Sequence, residues 1–215
     1  MEERDKKSYE LKYIQTARIP LIKLTLKEDK VKTHFDILAN NILGVINSKF
    51  MSVYGQVPWL RQLVILVKMW AKHPSRNLIK ETMFSSYSFS LLLLHFLIEK
   101  NKLQLIMDAR EREESSPHFM FCRETRENEE KFKVYYTFKT DPKNATTLKR
   151  VSIYDLLVEF FGYYSEAGEH WRKGKEDQII TVDGSKDKKF EEEFMFTMKD
   201  PFDERHNPGR VKKGE

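Results

Sequence analysis

The sequence predicts an α+β fold in which a short β-sheet leads into a mainly helical body. Three observations predict it. Residues 17–37 alternate in strand fashion around a polar turn. Residues 58–100 hold two long apolar stretches joined by a polar, proline-containing turn. Residues 152–164 repeat apolar positions at helical spacing. Over 215 residues, 40% apolar and 13% aromatic composition suffices for a real core in one domain or two small ones, despite 33% charged residues.

Each element follows from its residues. Residues 1–12 are charged and expected to fray. Ala17 to Leu26 reads as a strand, Lys27 to Lys30 as a turn, and Val31 to Ile37 as a second strand. That second strand sets Val31, Phe35 and Ile37 on one face and Lys32, His34 and Asp36 on the other, so a hairpin follows. Ala39 to Tyr54 is helical in part, with Gly44 and Asn47 weakening it. Pro58 suits the first residue of a helix. From there Leu60, Leu63, Val64, Val67 and Ala71 form a core stripe, which Ile65, Leu66 and Met69 widen well past one face. Such a helix is expected to be buried almost all round.

Lys68 and Lys72 lie one turn apart on that helix and share a face. The next helix, Ser85 to Lys100, opens on Ser85, Ser86 and Tyr87 and is apolar from Phe89 onward. Two lysines facing a serine-rich helix start would suit a polyphosphate. Residues 101–150 form a charged, variable insertion that includes the runs at 110–116 and 123–133 and a strand-like stretch at 134–138. Ser152 to Tyr164 is an amphipathic helix, 173–189 a polar loop, and Phe194 to Met198 a short strand leading into DPFDERHNPGR at 200–210.

The single cysteine, Cys122, rules out an internal disulfide and fits a reducing compartment. The opening MEERDKKSYE has no apolar segment of a secretory signal. The apolar run from Leu91 to Ile98 is far below the roughly 20 residues that cross a bilayer. A soluble protein of the cytoplasm, without a membrane partner, is expected; the nucleus and mitochondrion stay open. The net charge of +5, from 38 basic and 33 acidic residues, admits a polyanionic partner without demanding one. No histidine pair or Cys122 neighbour has metal-ligand spacing, and His95 reads as a satisfied core histidine.

Four segments, in order, resemble one family. HFDILANNILGVINS is similar to the segment bearing the third catalytic carboxylate of noncanonical poly(A) polymerases and terminal uridylyltransferases, which are DNA-polymerase-β-like nucleotidyltransferases. LRQLVILVKMWAK followed by MFSSYSFSLLLLHFL resembles their central helical domain. SIYDLLVEFFGYYS resembles the start of the PAP-associated region, and DPFDERHNPGR the nucleotide-recognition loop. The resemblance covers residues 17–100 and 151–211. It implies a partial nucleotidyltransferase palm over 1–50 and a helical central domain with PAP-associated region over 51–215.

The resemblance also implies an activity, the addition of UMP or AMP from a nucleoside triphosphate to an RNA 3′ end with Mg²⁺ or Mn²⁺. Two metal ions would activate the attacking oxygen and stabilise the leaving pyrophosphate, held by carboxylate oxygens. By resemblance Asp36 is the third carboxylate and a metal ligand. Asn47, with Ser48, meets the ribose hydroxyls. Lys68 and Lys72 hold the β- and γ-phosphates, Ser86 adds a hydroxyl, and Tyr87 stacks under the base. Asp200 and Asp203 match loop acids that read or position the base. His206 stands where uridine-selecting members carry a histidine, favouring UTP over ATP.

One part of the family pattern is absent. The Gly-Ser helix start and the Asp-x-Asp strand belong some tens of residues before the ARIPLIKL-like strand, and the 16 residues before Ala17 contain neither. One aspartate cannot assemble a two-metal site, so the chain alone is expected to be inactive. A completing chain, or an RNA-targeting protein, is therefore an expected partner. The alternatives are a remnant that binds nucleotide or RNA without transferring anything, and a poly(A) polymerase of the same family.

Overall fold

The computed structural model describes residues 8–15, 20–28, 31–39, 41–74, 84–107, 118–124, 129–135, 141, 143, 145–172, 179–183, 197–203 and 206–209. The chain divides into two compact units, 1–45 and 46–215.

The first unit is a three-stranded antiparallel sheet in the order β1 (Ser8–Ile14), β2 (Leu21–Glu28), β3 (Val31–Leu38). The expected hairpin is β2–β3, whose register pairs Leu24 with Phe35 and Lys23 with Asp36. The N-terminal residues expected to fray instead supply β1 from Ser8 onward, pairing Leu11 with Leu24 and Tyr13 with Ile22. Their charges hid an alternation of Tyr9, Leu11 and Tyr13 with Glu10 and Lys12.

Because paired residues share a face and neighbours alternate, the sheet is amphipathic. One face carries Tyr9, Leu11, Tyr13, Ile22, Leu24, Leu26, Phe35 and Ile37. The other carries Glu10, Lys12, Lys23, Thr25, Lys27, His34 and Asp36. The apolar face is open, with Tyr9 72% and Ile37 50% exposed.

Helix α1 (Ile42–Gly55) starts where the Asn41 side chain accepts a bond from Gly44 N at 3.0 Å. A Cβ at Gly44 would overlap that asparagine, so the glycine makes room for the side chain at the helix start. In the second unit α1 buries Ile46, Phe50, Val53 and Tyr54. Helix α2 (Pro58–Ala71) begins on its proline and packs against α3 (Ser86–Glu99) and α4 (Ile153–Arg172). Trp70 of α2 lies between the two, 6.0 Å from the Phe89 ring and 4.7 Å from Phe161.

The helix buried on every side is α3, not α2. Every residue from Ser88 to Leu97 is buried. In α2 the stripe Leu60, Leu63, Val67 and Ala71 is inside, while Ile65 and Met69 on the opposite side are 47% and 64% exposed. Apolar excess on α2 widened its surface, not its burial.

A hairpin of β4 (His118–Glu124) and β5 (Glu129–Tyr135) occupies the region expected as an insertion. Its second strand begins earlier than the 134–138 stretch suggested, and the run at 110–116 lies outside the described residues. Helix α4 extends to Arg172, beyond the expected Tyr164. The 173–189 stretch, expected as loop throughout, contains β6 (Ile179–Ile180), which pairs in parallel with β7 (Thr197–Met198). Among the described residues no helix is long and apolar enough to cross a membrane.

Candidate nucleotide-binding site

The site is built around the start of α3. Ser85 is the N-cap, in extended conformation, and its hydroxyl accepts from Ser88 N at 3.1 Å. Ser88 answers by accepting from Ser85 N at 3.1 Å, which closes a capping box. Ser86 is therefore the first helical residue and not the cap, so capping makes no use of its hydroxyl. Ser86 and Tyr87 are both half-buried.

Tyr87 reaches back to α1, where its hydroxyl donates to Asn47 Oδ1 at 3.0 Å. That bond occupies the amide oxygen and leaves the amide nitrogen of Asn47 as the donor side. Ser48, next in α1, is exposed. The Trp70–Phe89 contact brings the end of α2 against the first turns of α3. Lys68, half-buried, and Lys72, exposed, are carried by that end of α2. Among the described residues neither ammonium group takes part in an ion pair.

The stretch from Asp200 to Gly209 folds back on itself. Asp200 Oδ1 accepts from Phe202 N at 3.0 Å and Asp203 N at 3.2 Å, while Oδ2 accepts from His206 Nδ1 at 2.9 Å. His206 N donates to Asp203 O at 2.9 Å, and Asp200 N to His206 O at 3.3 Å. The Asp200 carboxylate is buried and the His206 ring partly open, so the carboxylate holds Nδ1 as the ring's donor and turns Nε2 outward. Asp200 thus has a bracing role that its position alone did not disclose.

The buried Asn207 makes a second brace, its Oδ1 accepting from Met198 N at 3.1 Å and Gly209 N at 2.8 Å. The loop is joined to the helices at both ends. Phe202 meets Phe50 of α1 edge-on at 5.3 Å, and Ser88 Oγ donates to Pro208 O at 2.8 Å.

Behind the loop, Lys199 N donates to Ile180 O at 2.9 Å, and Thr181 O accepts from His95 Nδ1 at 2.8 Å. Burial lowers the His95 pKa below its ordinary value, although the bond to Thr181 O and the nearby Glu99 charge oppose this. It is the satisfied core histidine the sequence suggested.

Of the residues singled out in the sequence, Tyr87 is bonded to Asn47, while Asp200, Asp203 and His206 are bonded to one another in the loop that Ser88 and Phe50 hold against α3 and α1. Lys68, Lys72 and Ser86 are carried at the α2–α3 end beside it. Asp36 belongs to the first unit, exposed on β3 opposite Lys23. Among the described residues no three His, Cys, Asp or Glu side chains could hold a metal ion. Asp36 alone does not fit a two-metal centre.

Comparison with known proteins places the fold. No family model matches the chain. The terminal uridylyltransferase cid1 of Schizosaccharomyces pombe is 27% identical over 94% of this chain and 52% of its own length. The poly(A) RNA polymerase gld-2 homolog A of Drosophila melanogaster is 37% identical over 38% of this chain, a match spanning 6% of that protein. The chain thus covers about half or less of these relatives. A crystal structure of the Cid1 poly(U) polymerase, with Mg and 3′-dATP bound, superposes with a TM-score of 0.61, covering 96% of this chain and 61% of that one at 24% identity. The fold is that of these nucleotidyltransferases.

Proposed function

We propose that this chain, a member of the noncanonical poly(A) polymerase and terminal uridylyltransferase family, carries the nucleotide-binding part of an enzyme that adds UMP to RNA 3′ ends in the cytoplasm. The observation behind the reading is the convergence of Asn47, Tyr87 and the His206 loop, which are distant in sequence, on the first turn of α3. Cid1, aligned over 94% of this chain, is a uridylyltransferase by name.

In this reading Lys68 and Lys72 neutralise the β- and γ-phosphates, and Ser86 contributes its hydroxyl. The Asn47 amide nitrogen and Ser48 meet the ribose. Tyr87 stacks under the base, its ring fixed by the bond to Asn47. His206 meets the base edge through Nε2, a side chain large enough to disfavour a purine, while Asp200 fixes the imidazole and Asp203 the loop backbone. Asp36 is one of the carboxylates for a Mg²⁺ or Mn²⁺ ion. A lone aspartate does not complete a two-metal centre, so in this reading the chain alone positions UTP without transferring it.

Primer extension tests this reading. The purified chain with UTP, Mg²⁺ and an RNA primer should give no product while still binding UTP more tightly than ATP. Extension by the isolated chain would overturn the missing-carboxylate reading, and failure to bind UTP would overturn the nucleotide site. A second reading, a non-catalytic nucleotide- or RNA-binding remnant, draws on the absence of a metal-holding group among the described residues. Supplying a carboxylate-bearing partner segment separates the two, because a remnant stays inactive in its presence.

A further inference from the structure

We infer that Ser88 is a positioning residue that fixes the base-selecting loop against the base-stacking helix turn, an inference that rests on the proposed nucleotide site. Its hydroxyl is fully used. Ser88 Oγ gives its one proton to Pro208 O at 2.8 Å. The oxygen accepts from Ser85 N at 3.1 Å and stands 2.9 Å from Ser85 Oγ, which must then be the donor of that pair. The side chain is 0% exposed, so no water replaces these partners.

The two ends of the Ser88–Pro208 bond are each one or two residues from a base-contacting side chain of the proposed site. Ser88 follows Tyr87 in the first turn of α3. Pro208 lies two positions beyond His206 and between Asn207 and Gly209, whose own bond fixes the turn at 2.8 Å. Inside the loop, Asp200 and Asn207 make a stiff unit, so a tie at Pro208 sets the position of the His206 end as a whole. Phe202 on Phe50 anchors the other end of the loop to α1. With both ties in place, the distance between the Tyr87 ring and the His206 imidazole is determined by protein contacts before any base arrives. A serine here therefore acts on which base fits, through His206, without touching the nucleotide.

The same hydroxyl also serves the capping box, and a fair test must separate the two roles. Ser85→Ala removes the cap hydroxyl and leaves the Ser88–Pro208 bond, whereas Ser88→Ala removes the bond. Two readouts apply: equilibrium binding of UTP and ATP to the full chain, and hydrogen exchange at the amides of His206 and Gly209. In Ser88→Ala the ratio of UTP to ATP affinity should fall about fivefold, the equivalent of one net hydrogen bond, and both loop amides should exchange faster. In Ser85→Ala the affinity ratio and the loop exchange should stay as in the native chain. An unchanged ratio in Ser88→Ala, or an equal fall in Ser85→Ala, overturns the positioning role. If the native chain binds neither nucleotide, the proposed function itself fails and takes this inference with it.

Discussion

The Tyr87 hydroxyl donates to Asn47 Oδ1 over 3.0 Å, joining the first turn of α3 to the middle of α1 across 40 residues of sequence. The ring proposed to stack under the base and the amide proposed to meet the ribose are thereby set relative to each other before a ligand is present. Tyr87→Phe keeps the ring and deletes the bond, so it should weaken UTP binding less than Tyr87→Ala. In a double-mutant cycle on stability, Tyr87→Phe and Asn47→Ala should couple by about 1 kcal/mol. Additive effects would mean the two residues do not act together.

Lys68 lies in the last turn of α2 and Lys72 is its C-cap, and their proposed partners are phosphate oxygens. Lys68→Ala should reduce UTP affinity roughly tenfold, the range for losing one charge-assisted contact. UMP affinity and thermal stability should stay nearly unchanged. Isothermal titration with both nucleotides distinguishes this from a general loss of fold, which would lower both affinities together.

His206 is held by Asp200 with Nε2 directed away from the carboxylate. Replacing His206 with alanine or asparagine should open space at the base edge and raise ATP relative to UTP by about tenfold. Competition binding reads that ratio directly. A ratio that does not move assigns base choice to another side chain.

Stability should fall in acid in a way traceable to His95. Burial keeps its pKa below the usual value of 6.5, so the folded chain holds the neutral ring while the unfolded chain takes up a proton. Its contribution is fully present above the unfolded value and is lost as pH falls below about 6.5 toward the lowered folded value. Chemical denaturation at pH 7 and pH 5 should show a larger loss in the native chain than in His95→Gln, whose side chain does not titrate.

The burial assignment of the two central helices is testable by truncation. Leu94→Ala on α3 should cost about 2–5 kcal/mol, because Leu94 is 0% exposed. Met69→Ala on α2 should stay within about 0.5 kcal/mol, because that side chain is largely in solvent. Equal costs would restore the picture of an α2 buried all round.

These cases also separate what the residues disclosed from what they did not. The α2–α3 pair was readable, because apolar spacing and Pro58 fix where helices run and start. Which of the two is more buried was not, since apolar residues on an outer face look the same in sequence as those on a second inner face. Strand β1 is hidden in the sequence because the charges of Glu10 and Lys12 mask the alternation of Tyr9, Leu11 and Tyr13. The motifs point to Asn47, Tyr87 and His206, but neither the Tyr87–Asn47 bond nor the His206–Asp200 bond is written in any local pattern. Ser88 was invisible for a further reason. Its local role, closing a capping box, accounts for a serine at that position, and its partner Pro208 lies 120 positions away.

In the proposed site, α2, α3 and the 200–209 loop form a triphosphate and base platform. Titrating the chain with UTP and with UMP, in parallel with its Lys68→Ala variant, tests it most directly. The native chain should bind UTP at least about tenfold more tightly than UMP, and Lys68→Ala should remove most of that difference. Equal affinity for UTP and UMP in the native chain would contradict it.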